Sequence, residues 1–160
     1  MEVNPYGKFL DGAEPLSVMA TTVERIRSLT APLSAAEVDR RPAPGKWSIR
    51  EIASHLADCE TVFSVRLRQT LAEDHHVIQP FDQERWAQRY SAYSFEDALR
   101  SFETARKWNL DLLSTVTEED KHRPVTHPER GTMTLWTIVE TIGGHDNNHL
   151  QQIERLAARA

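Results

Sequence analysis

A chain of 160 residues with 39% hydrophobic and 27% charged residues has the balance of one globular domain, long enough to bury a real core. Its net charge of −5 and pI near 5.8 leave no basic surplus to neutralise phosphates, which argues against a nucleic-acid partner. No apolar run approaches the roughly 20 residues that span a bilayer, the N-terminus lacks the build of a signal peptide, and one cysteine, Cys59, excludes an internal disulfide and favours the reducing cytoplasm.

In chain order, Pro5, Gly7 and Gly12 predict an extended N-terminal arm over residues 1–13. A helix follows from about Glu14 to Leu33, with Leu16, Met19, Val23, Ile26 and Leu29 as its apolar stripe. Ser34–Arg41 reads as one short helical turn, stopped by Pro42 and Pro44. Ser48 and Glu51 form the signature of a capping box and open a second long helix ending near Leu71–Asp74. Its buried side is Ile49, Ile52, Leu56, Cys59, Phe63 and Leu67. A long connection, His75–Tyr93, holds Pro80 and a short helix expected over Asp82–Tyr90, capped by Asp82 and presenting Trp86. Connections of that length tend to be functional or locally structured. Ser94 and Asp97 start the third long helix, whose stripe includes Phe95, Leu99, Phe102 and Ala105. Thr117–Lys121 is a short turn, Val125–Met133 a loop or small hairpin. Thr134 caps a last long helix running to near Ala158. Four long helices and one long crossover between the second and third predict a single all-α four-helix bundle over residues 14–158.

Three histidines fall on the core-facing stripes. His55 lies three residues after Ile52 and four before Cys59. His145 and His149 sit four apart in GGHDNNHLQQI, in step with Leu135, Ile138, Ile142, Ile153 and Leu156. A buried imidazole must shed its proton and find partners, or coordinate something. The three rings are therefore either hydrogen-bonded core residues or the ligands of one ion. Zinc and nickel both accept neutral imidazole, and three histidines with an open position make a catalytic arrangement. Asp58 and Asp146 are candidates for orienting the rings from behind, or surface acids. Cys59 is a small core residue close to the same region. His75, His76, His122 and His127 are expected in loops or facing solvent, and scattered arginines such as Arg66 and Arg106 on solvated helix surfaces. Gly143 and Gly144 each cost roughly 1 kcal/mol inside a helix, so a close approach of a neighbouring helix or a bend is expected there. Trp47 and Trp86 are either the walls of a pocket at the bundle end or plain packing.

The segments PAPGKWSIREIASHLADCE, QPFDQERWA and GGHDNNHLQQIERL, with NPYGKFLDG at the start, resemble the DinB-like/YfiT-like superfamily of metal-dependent hydrolases over almost the whole chain. The resemblance implies a four-helix bundle, often a homodimer, with a divalent metal held by three histidines near one end. The histidine of HLAD is His55, and the terminal HxxxH supplies His145 and His149. Relatives include transferases of low-molecular-weight thiols. What it implies for this chain is a zinc- or nickel-dependent enzyme that activates a thiol or water against a small electrophile or hydrolysable substrate. The alternative is a non-catalytic metal- or ligand-binding module of the stress response. Gly143, Gly144, Asn147 and Asn148 stand where several relatives carry histidine or aromatic residues, so the resemblance names no substrate.

Overall fold

Side-chain caps set where the helices begin. In the computed structural model, which describes residues 3–159, Glu14 accepts from Ser17 N ahead of α1 (Pro15–Thr30), with Pro15 at the first helical position. Proline suits that position because its missing N–H would be unpaired anyway. Ser34 and Glu37 make a capping box for α2 (Ala35–Asp39), and the earlier helix stops at Thr30 rather than running on to Leu33. The capping box of Ser48 and Glu51 opens α3 (Ile49–Ala72). Ser94 caps α5 (Phe95–Leu113) and Thr134 caps α7 (Leu135–Ala157). Each cap satisfies N–H groups that have no partner inside the helix.

The four long helices pack as a square, α1 against α7 and α5, α3 against α5 and α7. This is the expected all-α four-helix bundle. The crossover between α3 and α5 is more structured than its sequence suggests. It contains strand β1 (His76–Val77), helix α4 (Gln83–Ala87), capped by Asp82 as expected, and a 3-10 turn at Tyr90–Ala92. After the single turn α6 (Glu118–Lys121), β2 (Pro124–His127) and β3 (Gly131–Thr134) form the small hairpin. β1 adds to β2 in parallel, giving a three-stranded sheet. That sheet holds His76 and His127 in strands and buries them, at 7% and 5% exposure, against the expectation of loop or solvent-facing positions. His75 and His122 are exposed. The N-terminal arm is likewise not fully extended, because Gly7–Phe9 forms a 3-10 turn.

The apolar core is divided. One cluster, toward the sheet, holds Met19, Phe63, Leu67, Val125, Leu135 and Ile142 among others. The second holds Ile26, Ile49, Ile52, Leu99, Phe102 and Leu150 among others. Each long helix contributes buried polar residues near where the two sets meet: Thr22 on α1, His55 and Glu60 on α3, Arg106 and Asn109 on α5, His145, Asp146 and His149 on α7. A polar layer inside a bundle is costly unless every group is paired.

Candidate metal centre

α3 presents His55 less than two turns after its capping box, and α7 presents His145 and His149 one turn apart on the same face. All three side chains are buried, at 1–4% exposure. Their Nε2 atoms converge: His145 Nε2 lies 3.1 Å from His55 Nε2 and 3.1 Å from His149 Nε2. Burial lowers the His55 pKa to about 3, with repulsion from His149 adding to it. Burial also lowers His149 to about 4, against the pull of its Gln152 hydrogen bond, and holds His145 well below its ordinary value. The three rings are therefore neutral at neutral pH.

Neutral rings in this array cannot satisfy one another. His149 Nδ1 stands 3.2 Å from Gln152 Oε1. An amide oxygen only accepts, so Nδ1 carries the hydrogen and Nε2 of the same ring is a bare lone pair. His145 Nε2 carries at most one hydrogen and faces two nitrogens, so among the rings one lone pair stays unmatched, with only the weak S–H donor of Cys59, 3.4 Å from His55 Nε2, to meet it. A cation among the three nitrogens would remove that conflict. Donors placed 2.0–2.1 Å from a tetrahedral ion stand about 3.3–3.4 Å apart, close to the 3.1 Å of the two pairs that include His145. The donor set fits zinc or nickel, for which neutral imidazole is an ordinary ligand.

The surroundings fix each ring. Trp47 packs on His55 with centroids 4.7 Å apart, and Tyr6 meets His145 edge-on at 5.0 Å. Cys59 Sγ lies 3.4 Å from His55 Nε2. Donor atoms of His55, Cys59 and His145 fall within 4.8 Å of one another, the grouping among the described residues that could hold an ion as it stands, and His149 adjoins it through His145. Burial, reinforced by Asp58, raises the Cys59 thiol pKa far above its ordinary value, which keeps it a protonated and poorer donor. A cleft of about 730 Å³ opens on His55 and His149 and is walled by Tyr6, Trp47, Gln152 and Arg155. That size suits a small organic molecule.

Several residues do not do what their sequence context suggests. Trp86 packs on Phe81, 4.9 Å between centroids, and does not wall the cleft. Asp146 turns away from the imidazoles: Arg106 Nη1 donates to its Oδ2 at 2.5 Å and Thr22 Oγ1 at 2.8 Å. Asp58 is half-buried beside Ser54 and Asp97, along a different groove. The ring-orienting group is instead Gln152, one turn after His149, which its i, i+3 spacing could have revealed. Arg106 is 2% exposed, not a surface residue. Its Nη2 donates to Glu60 Oε2 at 2.8 Å and to Asp146 Oδ1 at 3.1 Å, and its Nη1 to Met19 O at 2.9 Å. Burial alone would lower the Arg106 pKa, but Asp146 and Glu60 outweigh it and keep the guanidinium charged. Gly144 accommodates the N-terminal segment, and Gly143 accommodates both that segment and the first residue of α1, the close approach of a neighbouring helix expected there. A Cβ on Gly143 would stand 3.1 Å from Leu10 Cδ2 and Pro15 Cα, and one on Gly144 would overlap the carbonyl of Tyr6.

The model of the DinB superfamily matches residues 19–153. A protein of Oceanobacillus iheyensis, named by inference as a metal-dependent hydrolase, is 27% identical over 135 residues, covering 84% of this chain and 78% of that protein. A similarly named protein of Bacillus cereus is 26% identical over 128 residues, 79% of this chain and 74% of its own length. Among solved structures, YfiT from Bacillus subtilis, described by inference as a metal-dependent hydrolase with an unusual four-helix bundle topology, superposes with a TM-score of 0.83 at 21% identity. That match covers 91% of this chain and 85% of YfiT.

Proposed function

Because the chain belongs to the DinB superfamily, we propose that it is a metal-dependent hydrolase whose single divalent ion, zinc or nickel, is held by His55, His145 and His149. The observation that carries this reading is the approach of three neutral Nε2 atoms, two of them 3.1 Å from the third, with His55 and His149 lining a cleft. The names of the relatives point the same way. A divalent ion held there would polarise a substrate oxygen and lower the pKa of a water or thiol that reaches it.

The chain's own residues supply the rest. Gln152 holds the His149 ring with Nδ1 protonated, so that Nε2 faces inward. Trp47 presses on His55 and forms a flat wall against which a planar or apolar group can lie. Burial of the three histidines keeps them neutral and excludes water from behind the site. Lys46, Arg155 and Arg159 border the same cleft, with Glu84 as the acid among its lining residues. This favours a small substrate bearing negative charge.

A second reading is thiol transfer, in which a low-molecular-weight thiol attacks a small electrophile. The cleft favours it in one respect: about 730 Å³ walled by Trp47, Tyr6 and cations has room for an acidic thiol and its partner together. The test is turnover with and without a chelator. Release of nitrophenol from nitrophenyl esters, abolished by chelation and restored by zinc, supports hydrolysis. Chelator-sensitive conjugation of a chloro-aromatic electrophile that requires added thiol supports transfer. Metal binding without either activity would leave a binding module and overturn the enzyme reading.

A further inference from the structure

The N-terminal segment is seated on α7 at the histidines by contacts that differ in kind. The carbonyl of Tyr6 occupies the space that a Cβ on Gly144 would fill, its carbon only 2.8 Å from that position. Leu10 and Pro15 fill the corresponding space at Gly143, 3.1 Å away. Asn147 Nδ2, two residues after His145, donates to Phe9 O at 3.0 Å. Two consecutive glycines in a helix interior carry a propensity penalty of roughly 1 kcal/mol each, and here the backbone approach they permit accounts for both. The segment so held delivers the Tyr6 ring edge-on to His145 at 5.0 Å and makes Tyr6 a wall of the cleft that His55 and His149 also line.

We propose that residues 3–13 are a wall of the active site and that Tyr6 is its working residue, the phenol donating a hydrogen bond to a carbonyl or anionic oxygen of a small substrate beside the three histidines. A phenol with an ordinary pKa near 10 is protonated at neutral pH and donates. Held in a partly enclosed site, a donor aimed at developing negative charge contributes more than it would in water. The backbone clamp at Gly144 matters because a donor on a loose segment would have to be ordered at each binding event. This inference rests on the metal reading given above and adds to it a group that does not touch the ion.

The test uses the full chain loaded with cobalt(II), whose visible absorption reports the histidine site, and acetohydroxamate as an oxyanion probe. Wild type is expected to bind cobalt and then the probe, with a change in the cobalt spectrum. Tyr6→Phe keeps the ring against His145, so it should bind cobalt as wild type does but hold the probe about tenfold more weakly, the loss of one hydrogen bond to a charged oxygen. Gly144→Ala favours the helix yet cannot coexist with the seated Tyr6 carbonyl. It should keep cobalt binding, raise hydrogen exchange over residues 6–10, and show the same loss of probe affinity. Undiminished probe binding in Tyr6→Phe, or in Gly144→Ala with the segment released, would overturn the role of Tyr6. Wild-type protein that binds cobalt but not the probe would overturn it as well. Wild-type protein that binds no cobalt would overturn the metal reading first and this inference with it.

Discussion

Replacing Arg106 with leucine is the sharpest test of how the polar layer is held. The guanidinium, 2% exposed, donates to Asp146 at 2.5 and 3.1 Å, to Glu60 at 2.8 Å and to the Met19 carbonyl at 2.9 Å. It thereby ties α5 to α1, α3 and α7. Without it, Asp146 keeps only the Thr22 hydroxyl and Glu60 only the Asn109 amide as side-chain donors, with both carboxylates about 1% exposed. Stranding buried charge in this way costs about 3–5 kcal/mol, a fifth or more of the roughly 5–15 kcal/mol that typically holds a domain of this kind together. Urea denaturation followed by circular dichroism measures the loss, provided the slope is unchanged. The cost should depend on pH. Burial already raises the Asp146 carboxyl in the intact protein, with Arg106 pulling it back. Without the arginine its folded pKa rises further. A raised carboxyl favours folding at low pH, and that advantage is lost as pH climbs from about 4 through the folded value. The deficit of Arg106→Leu should therefore be smaller at pH 5 than at pH 8. Replacing Glu60, Arg106 and Asp146 together by apolar residues of similar volume should recover most of the loss. A deficit below about 1 kcal/mol at pH 8 would refute the claim that this network is the strut of the layer.

Three further outcomes are expected. The metal-free protein should lose stability as pH falls from the unfolded histidine value near 6.5 toward the folded values of about 4 for His149 and about 3 for His55. Because the unfolded chain binds more protons in that window, the loss is about 2 kcal/mol per histidine between pH 7 and 5, and urea titrations at the two pH values measure it. Gln152→Ala removes the acceptor that orients His149 and should weaken metal affinity about tenfold or more with little change in thermal stability, checked by competition with a chelator. A homodimer is proposed in which the α5 face, where Trp108 is 65% exposed, is buried against its symmetry mate. Sedimentation equilibrium at micromolar concentration should show twice the 18.3 kDa of one chain, and a lone monomer would reject it.

What the sequence made legible were features with local periodicity. Ser48 with Glu51 marks the start of α3 by side-chain chemistry alone, and the apolar rhythm around His55, His145 and His149 puts three basic rings on buried faces. What it hid depends on distance along the chain. Nothing near Arg106 signals that its partners lie 46 and 40 residues away on Glu60 and Asp146, so a buried strut reads as one more surface arginine. The pairing of His76 with Val125 is non-local in the same way, and with it the burial of His76 and His127. The two glycines before His145 carried a real signal, since their cost demanded a close contact. Only the fold shows that the contact is the backbone of Tyr6 at Gly144 and Leu10 with Pro15 at Gly143.

The most direct test of the metal centre is elemental analysis of protein purified without a histidine tag, set beside the His145→Ala variant. His145 Nε2 is the atom 3.1 Å from both other rings, so its removal leaves no three-nitrogen set. The wild-type chain should carry about one zinc or nickel ion, and His145→Ala should carry almost none while remaining helical. Wild-type protein free of transition metal after purification and after dialysis against zinc, or a variant that retains a full equivalent, would contradict the assignment.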